Sequence, residues 1–163
     1  MSEMTIRPAV PEDIGLILSF IRELAVYEKM EDQVIATEEL LTEWIFTKGK
    51  AKVNLAFWES RPAGFTLYCF NFSTFLGRAG IWLEDLFVLP EYRGRGIGLA
   101  LMKALAKEAV DGGYGRFEWN CLDWNSPSIE FYKRLGAVSM DDWTTYRLTG
   151  DALKALAGGI IKK

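Results

Sequence analysis

The chain has 163 residues, half of them apolar, with a formal charge of −3, two cysteines and no histidine. That length and apolar content suit a single domain over residues 1–163 with a substantial core, and a slightly acidic chain without a long basic run is a poor partner for nucleic acid. Met1 to Pro11 lacks a basic-then-apolar leader, and no apolar run reaches the roughly 20 residues that span a bilayer, so a cytoplasmic protein with no membrane partner is expected.

The absence of histidine removes the usual catalytic base and the commonest transition-metal ligand, which leaves acid and base work to carboxylates, tyrosine, lysine or cysteine. Cys69 and Cys121 stand apart with no CxxC spacing, and read as reduced core or strand residues rather than a disulfide, a nucleophile or a metal site. No metal is expected.

The elements alternate in type from end to end, with no repeat, low-complexity block or linker. Thr5 to Pro8 reads as a first strand, and Pro11-Glu12-Asp13 opens a helix that carries Ile14, Ile17, Leu18, Ile21 and Leu24 on one face. Thr37 can cap a second helix whose apolar side is Leu40, Leu41, Trp44 and Ile45. Val53 to Trp58 and Gly64 to Phe72 read as antiparallel strands joined by Glu59-Ser60-Arg61-Pro62, and Ile81 to Leu89 as a third strand near them.

A helix from Ile97 to Asp111 buries Ile97, Leu101, Met102, Leu105 and Ala109 and ends at Gly112-Gly113. Arg116 to Cys121 then reads as a strand, Ser126-Pro127 starts a helix that runs to Leu135, and a last strand is expected within Ala137 to Leu148. Asp151 to Ala157 suits a short terminal helix, and Gly158 to Lys163 a frayed tail. The sum is a mixed α/β sheet domain.

The segment with the most chemistry is Arg93-Gly94-Arg95-Gly96-Ile97-Gly98, set between a strand and a helix. Three glycines there strip β-carbons from a helix start, where backbone amides and the helix dipole hold phosphate well. The spacing fits neither the dinucleotide fingerprint nor a P-loop, since no Gly-Lys-Ser/Thr follows.

The segment resembles the Arg/Gln-x-x-Gly-x-Gly/Ala signature of the GCN5-related N-acetyltransferases (GNAT), with Arg93, Gly96 and Gly98 at the signature positions. Three further blocks, Tyr27 to Val34, Leu83 to Val88 and Asn125 to Ala137, are similar to segments of the diamine (spermidine/spermine) N-acetyltransferases, and the likeness runs from Ile6 to about Leu148. It implies a mostly antiparallel mixed sheet flanked by helices, acetyl-coenzyme A (acetyl-CoA) as co-substrate, a small primary amine as acceptor and a homodimer. It also implies backbone contacts to the pantetheine arm from Leu86, Phe87 and Val88, and to the pyrophosphate from Gly94, Arg95, Gly96, Ile97, Gly98 and Leu99. Asn125, Ser126, Pro127 and Ser128 would be further coenzyme contacts, although the same residues also suit a helix cap and turn. Lys133 can reach a coenzyme phosphate or simply lie in solvent.

The chemistry the resemblance implies needs a neutral amine, a stabilised tetrahedral centre and a proton for the departing thiolate. An alkylamine with a pKa near ~10 is almost fully protonated at neutral pH, so a carboxylate must help remove its proton, directly or through water. Glu84 matches the family glutamate that orders a relay water; alternatively it is a solvent-facing strand residue. In a regular strand Glu84 and Asp85 point to opposite faces and one enters the core unless a bulge re-aims it, and the family carries a bulge near this point. Tyr132 matches the family's acid, while Ile129, Tyr132 and Leu135 would equally make one apolar helix face.

Tyr27, Glu28 and Asp85 match substrate-site positions, where acids pair with protonated nitrogens remote from the reacting one. Glu31 and Asp32 read as an ordinary acidic turn. Ser73 stands where the polyamine enzymes have an acid, which disfavours spermine and leaves a shorter diamine, a lysine analogue such as thialysine or another primary amine. Two other functions stay open: a module that senses acyl-CoA without catalysis, and a protein N-terminal acetyltransferase.

Overall fold

A five-stranded sheet organises the larger of two units in a computed structural model that describes residues 3–159, the units dividing after Asn120. Strands β1 (Met4–Pro8), β2 (Lys52–Trp58), β3 (Arg61–Ser73), β4 (Arg78–Val88) and β5 (Phe117–Trp119) lie in that order, antiparallel except for the β4–β5 pair. Helix α1 (Ile14–Glu28) follows β1 through a 3-10 turn at Pro11–Asp13. Arg7 ties that junction with a two-pronged bond to Asp13, at 2.7 and 2.9 Å, and the carboxylate also accepts from the Val10 amide. These bonds hold the Asp13 carboxyl below its ordinary range.

Helix α2 (Glu38–Leu41) is capped by the Thr37 hydroxyl, which accepts from the Leu40 amide at 3.2 Å, and continues as a π-helical turn over Thr42–Thr47. The β2–β3 turn is tighter than its four polar residues suggest: only Glu59 and Ser60 lie between the strands, both at positive φ, as a two-residue hairpin requires. Helix α3 spans Ile97–Asp111 and buries the five residues its periodicity predicts.

The sheet is packed on both faces. On one, Ile17, Phe20 and Leu24 of α1 meet Val53, Leu55, Phe65 and Phe87, with the Phe20 and Phe65 rings stacked at 5.4 Å. On the other, Ile97 and Leu101 of α3 pack with Ala56 and Ala63.

Two bulges interrupt the alternation. One leaves Ala63 as an extra residue opposite Ala56 and Phe57, and the other leaves Glu84 extra between the pairs Leu67–Asp85 and Tyr68–Leu83. Since paired residues share a face, Leu83 and Asp85 fall on opposite sides of the sheet, where an unbroken strand would put them on the same side.

The smaller unit contains α4 (Ser126–Arg134) and α5 (Gly150–Ala157). Two expectations need correction. The strand expected over Arg116 to Cys121 forms only at Phe117–Trp119, because its ladder reaches no further than Ile81, Trp82 and Leu83 of β4. The strand expected within Ala137 to Leu148 does not form: residues 137–149 make no ladder, and Val138, Met140, Trp143 and Tyr146 are exposed. Alternating apolar residues define two faces, but a strand also needs an edge to bond, and the sequence pattern says nothing about that edge. Of the tail at Gly158 to Lys163, residues 160–163 lie outside the described residues.

Thr66 on β3 is fully buried and its hydroxyl has no hydrogen-bond partner among the described residues. Such a group costs about 1–3 kcal/mol. Thr66→Val is expected to raise unfolding stability by roughly 1 kcal/mol in urea titrations, and an unchanged or lower midpoint would show that the hydroxyl is satisfied.

Candidate active site

The bulge at Glu84 sets the geometry of the site. By turning Asp85 to the face it shares with Leu67, Phe65 and Phe87, it directs a carboxylate toward α1. There Asp85 closes an open pocket of about 170 Å³. One wall is a stripe of α1: Ile21, Leu24, Ala25 and Glu28, spaced so that all four share a face. At Lys29 the helix ends in a left-handed residue with φ 60°, and the following turn adds Met30, Gln33 and Val34 to the lining.

Two other carboxyl groups act on Asp85 here. Burial, then the charges of Glu84 and Glu28, push the Asp85 carboxyl up to about 7 from its ordinary 3.8. Burial also raises Glu28. Glu84 itself is exposed, and its Oε2 accepts a hydrogen bond from the indole of Trp82 at 2.9 Å. Its charge, second to burial, raises the neighbouring Cys69 thiol. At neutral pH the pocket is therefore poised: Asp85 holds a proton part of the time and would lose it to an arriving cation.

Next to the pocket, the second half of β4 has an open backbone edge. The parallel pairing with β5 stops at Leu83, so Leu86, Phe87 and Val88 are bonded to β3 on one side and to no strand among the described residues on the other. The Val88 carbonyl is taken by Arg93, whose Nε donates to it at 2.9 Å. The same guanidinium lies over the rings of Tyr27, at 4.9 Å, and Phe87, at 5.4 Å. Tyr27, expected at the substrate site, lies under the Arg93 guanidinium, one position before the lining residue Glu28.

The glycine segment has a backbone conformation open to side-chain-free approach. Gly94 and Gly96 sit at φ 75° and 80°, in the left-handed region, and a β-carbon on either would meet nothing within 4 Å. Gly96 caps α3, with no side chain on the cap and no acid in the first turn. The first intrahelical bond runs from Ala100 to Gly96, so the amides of Ile97, Gly98 and Leu99 precede any helical partner. That donor set, with the helix dipole behind it, fits a pyrophosphate. Arg95 turns back, its guanidinium donating to the Glu91 carbonyl at 3.3 Å and lying over the Trp58 and Tyr92 rings.

The remaining candidates are in the smaller unit. Asn125 is buried and caps α4, its side-chain oxygen accepting from the Ser128 amide at 3.4 Å, with Ser126 and Pro127 in the first turn. Tyr132 is half-buried on α4, its ring 5.4 Å from that of Phe131. Lys133 is exposed and paired with Glu130 at 3.2 Å. In the larger unit, Ser73 serves the fold: it is buried at the end of β3, and its hydroxyl accepts from the Leu76 amide and closes the hairpin turn. Glu31 and Asp32 form the exposed 3-10 turn expected of them.

Six lining residues were missed from sequence: Ile21, Leu24, Ala25, Met30, Gln33 and Val34. For Ile21, Leu24 and Ala25 the signal was the continuation of the α1 stripe to Glu28, which ties an acid to an apolar helix face; Met30, Gln33 and Val34 lie beyond the helix and carry no such periodicity.

Comparison with known proteins agrees in one direction. A model of the acetyltransferase (GNAT) family matches residues 18–137. A thialysine N-epsilon-acetyltransferase of Sus scrofa is 41% identical over 97% of this chain and 99% of its own length. An L-ornithine N5-acetyltransferase of Arabidopsis thaliana is 31% identical over 93% of this chain and 86% of its own. Among solved structures, an integron cassette protein from the mobile metagenome of V. cholerae superimposes with a TM-score of 0.78 at 29% identity, covering 94% of this chain and 97% of that one.

Asp85 makes the pocket pH-sensitive. Its native pKa lies above its unfolded value, so the folded state holds the extra proton between about pH 4 and pH 7, and stability falls as pH rises through that window. Asp85→Asn is expected to raise the melting temperature more at pH 8 than at pH 5, with the gain vanishing near pH 4; a gain independent of pH would contradict the assignment.

Proposed function

Because the chain belongs to the acetyltransferase (GNAT) family, we propose that it transfers an acetyl group from acetyl-CoA to a primary amine of a small diamine or lysine-like substrate. The observation that carries this reading is the pocket in which Glu28 and Asp85 face an apolar wall beside the open edge of β4. Its companions are relatives named for thialysine and for L-ornithine, both amino acids that carry a side-chain amine. Acetyl-CoA, when bound, supplies the acetyl group as a reactive thioester.

Each residue then has a role. The amides of Gly94 to Leu99 hold the pyrophosphate, and the free edge at Leu86 and Phe87 bonds the pantetheine arm. Arg93, braced by Tyr27 and the Val88 carbonyl, keeps the strand end and the glycine loop in register. Asp85 and Glu28 bind the remote ammonium of the amine, and binding drives off the Asp85 proton. Glu84, exposed and fixed by Trp82, receives the proton of the reacting nitrogen through water. Tyr132, whose phenol can donate a proton, gives one to the departing thiolate. Asn125 to Ser128, ordered by their cap, and Lys133 provide further coenzyme contacts.

In this reading the chain acts as one acetyltransferase domain, since the family match, residues 18–137, continues from the larger unit into the smaller. The reading extends to a cytoplasmic homodimer, for which the exposed Phe72, Phe75 and Leu76 at the β3–β4 hairpin offer apolar surface.

The direct test is thiol release from acetyl-CoA with a panel of diamines and amino acids. Amine-dependent release is expected, with Tyr132→Phe and Glu84→Gln each lowering kcat by about 10²–10⁴-fold. No release with any amine, alongside tight coenzyme binding, would instead identify a sensor. Gly96→Val, which forces a side chain to positive φ, is expected to abolish coenzyme binding measured by calorimetry.

A further inference from the structure

The glycine turn is held from both faces of the sheet, although its own backbone does little to hold it. Among the described residues, the last backbone bond before the turn runs from the Arg93 amide to Pro90, and the first after it from Ala100 to Gly96. Gly94 and Gly96 both adopt positive φ, and a β-carbon on either would meet open space, so neighbouring atoms confine neither of them. Glycine loses more conformational freedom on ordering than any other residue, which makes such a turn costly to keep in one shape.

The two arginines on either side of Gly94 supply the anchors, and they point to opposite faces. Arg93 lies over Tyr27 and Phe87, which belong to the core on the α1 face. Arg95 goes the other way: its guanidinium lies 5.3 Å from the Trp58 ring and 5.6 Å from the Tyr92 ring, and donates to the Glu91 carbonyl at 3.3 Å. Both of those rings pack on the core of the α3 face, beside Ile97 and Leu101. Trp58 is fixed in turn by the ladder, where it pairs with Met4 of β1 and Arg61 of β3. A planar guanidinium stacks on such rings in a way that a compact ammonium does not. On the reading given above, that the turn holds the coenzyme pyrophosphate, we propose that Arg95 seated on Trp58 and Tyr92 is a positioning residue, which pre-orders the amides of the turn and sets coenzyme affinity by shape and not by its charge. Ordering the turn before the coenzyme arrives removes an entropic cost that binding would otherwise bear.

Two measurements test this: calorimetry of coenzyme A binding over a series of KCl concentrations, and NMR order parameters of the backbone amides in the free protein. Arg95→Ala is expected to weaken coenzyme A binding about tenfold, and Arg95→Lys by nearly as much, both with the salt dependence of the wild type. In the free protein the order parameters of Gly94 to Gly96 should be close to the ~0.85 of rigid backbone and fall below ~0.6 in Arg95→Ala, while those of Leu101 to Ala109 in α3 stay unchanged. Trp58→Leu should reproduce the loss of affinity and add nothing in the Arg95→Ala background, with Tyr92→Leu in its place if that variant fails to fold. Full affinity in Arg95→Lys, or a flatter salt dependence in Arg95→Ala, would show that Arg95 acts by charge on the phosphates and overturn the positioning role, as would unchanged order in the turn of Arg95→Ala. A wild type that binds no coenzyme A overturns the coenzyme reading itself, and the order parameters then decide on their own whether Arg95 orders the turn.

Discussion

One extra residue in β4 governs what this sheet can do. With Glu84 bulged out of the ladder, the residues before it and those after it exchange faces, so Leu83 is buried beside Tyr68 while Asp85 is carried to the side of α1. Without that inversion a carboxylate would sit on the α3 face, where the Tyr68 hydroxyl already donates to Glu108 at 2.7 Å and a second acid would find no cation to spare. The bulge also coincides with the end of the β5 ladder at Leu83. The same stretch of strand thus changes its face and loses its neighbour, which creates an acidic pocket and an open backbone edge side by side.

The two halves of the proposed reaction have opposite electrostatics, and β4 separates them. Upstream lie Glu28, Glu84 and Asp85, where burial, then the charges of Glu84 and Glu28, pushes the Asp85 carboxyl up to about 7. Downstream, the glycine turn presents amides at the positive end of α3 with no acid in its first turn. Arg93 couples them mechanically, bonded to the Val88 carbonyl and seated on Tyr27 from α1 and Phe87 from β4. In the proposed reaction a cationic amine would be drawn to the upstream acids and an anionic coenzyme to the downstream amides.

Much of this was legible in the residues. The apolar stripes of α1 and α3 gave their helices and buried faces, and the bulge that the family resemblance implied near the Glu84-Asp85 pair is present. Glu28 and Asp85, paired by resemblance, do share a pocket. What escaped was non-local. The reach of β5 depends on how much of β4 it can bond, and the run from Ala137 to Leu148 has strand-like alternation without a ladder. The contact of the Arg93 guanidinium with the Tyr27 ring joins distant parts of the chain, so no local pattern could show it. Ser73, noted for the acid it lacks, turns out to close a hairpin.

The central claim is that Asp85, re-aimed by the bulge and partly protonated at neutral pH, is the counter-ion of the amine. Calorimetric titration of a diamine into the coenzyme A-saturated protein at pH 7, repeated in buffers of different ionisation enthalpy, measures protons released on binding. A release of about half a proton per site, abolished in Asp85→Asn, is predicted from a carboxyl near 7 that becomes fully ionised. Tight diamine binding with no proton release in the wild type would contradict it.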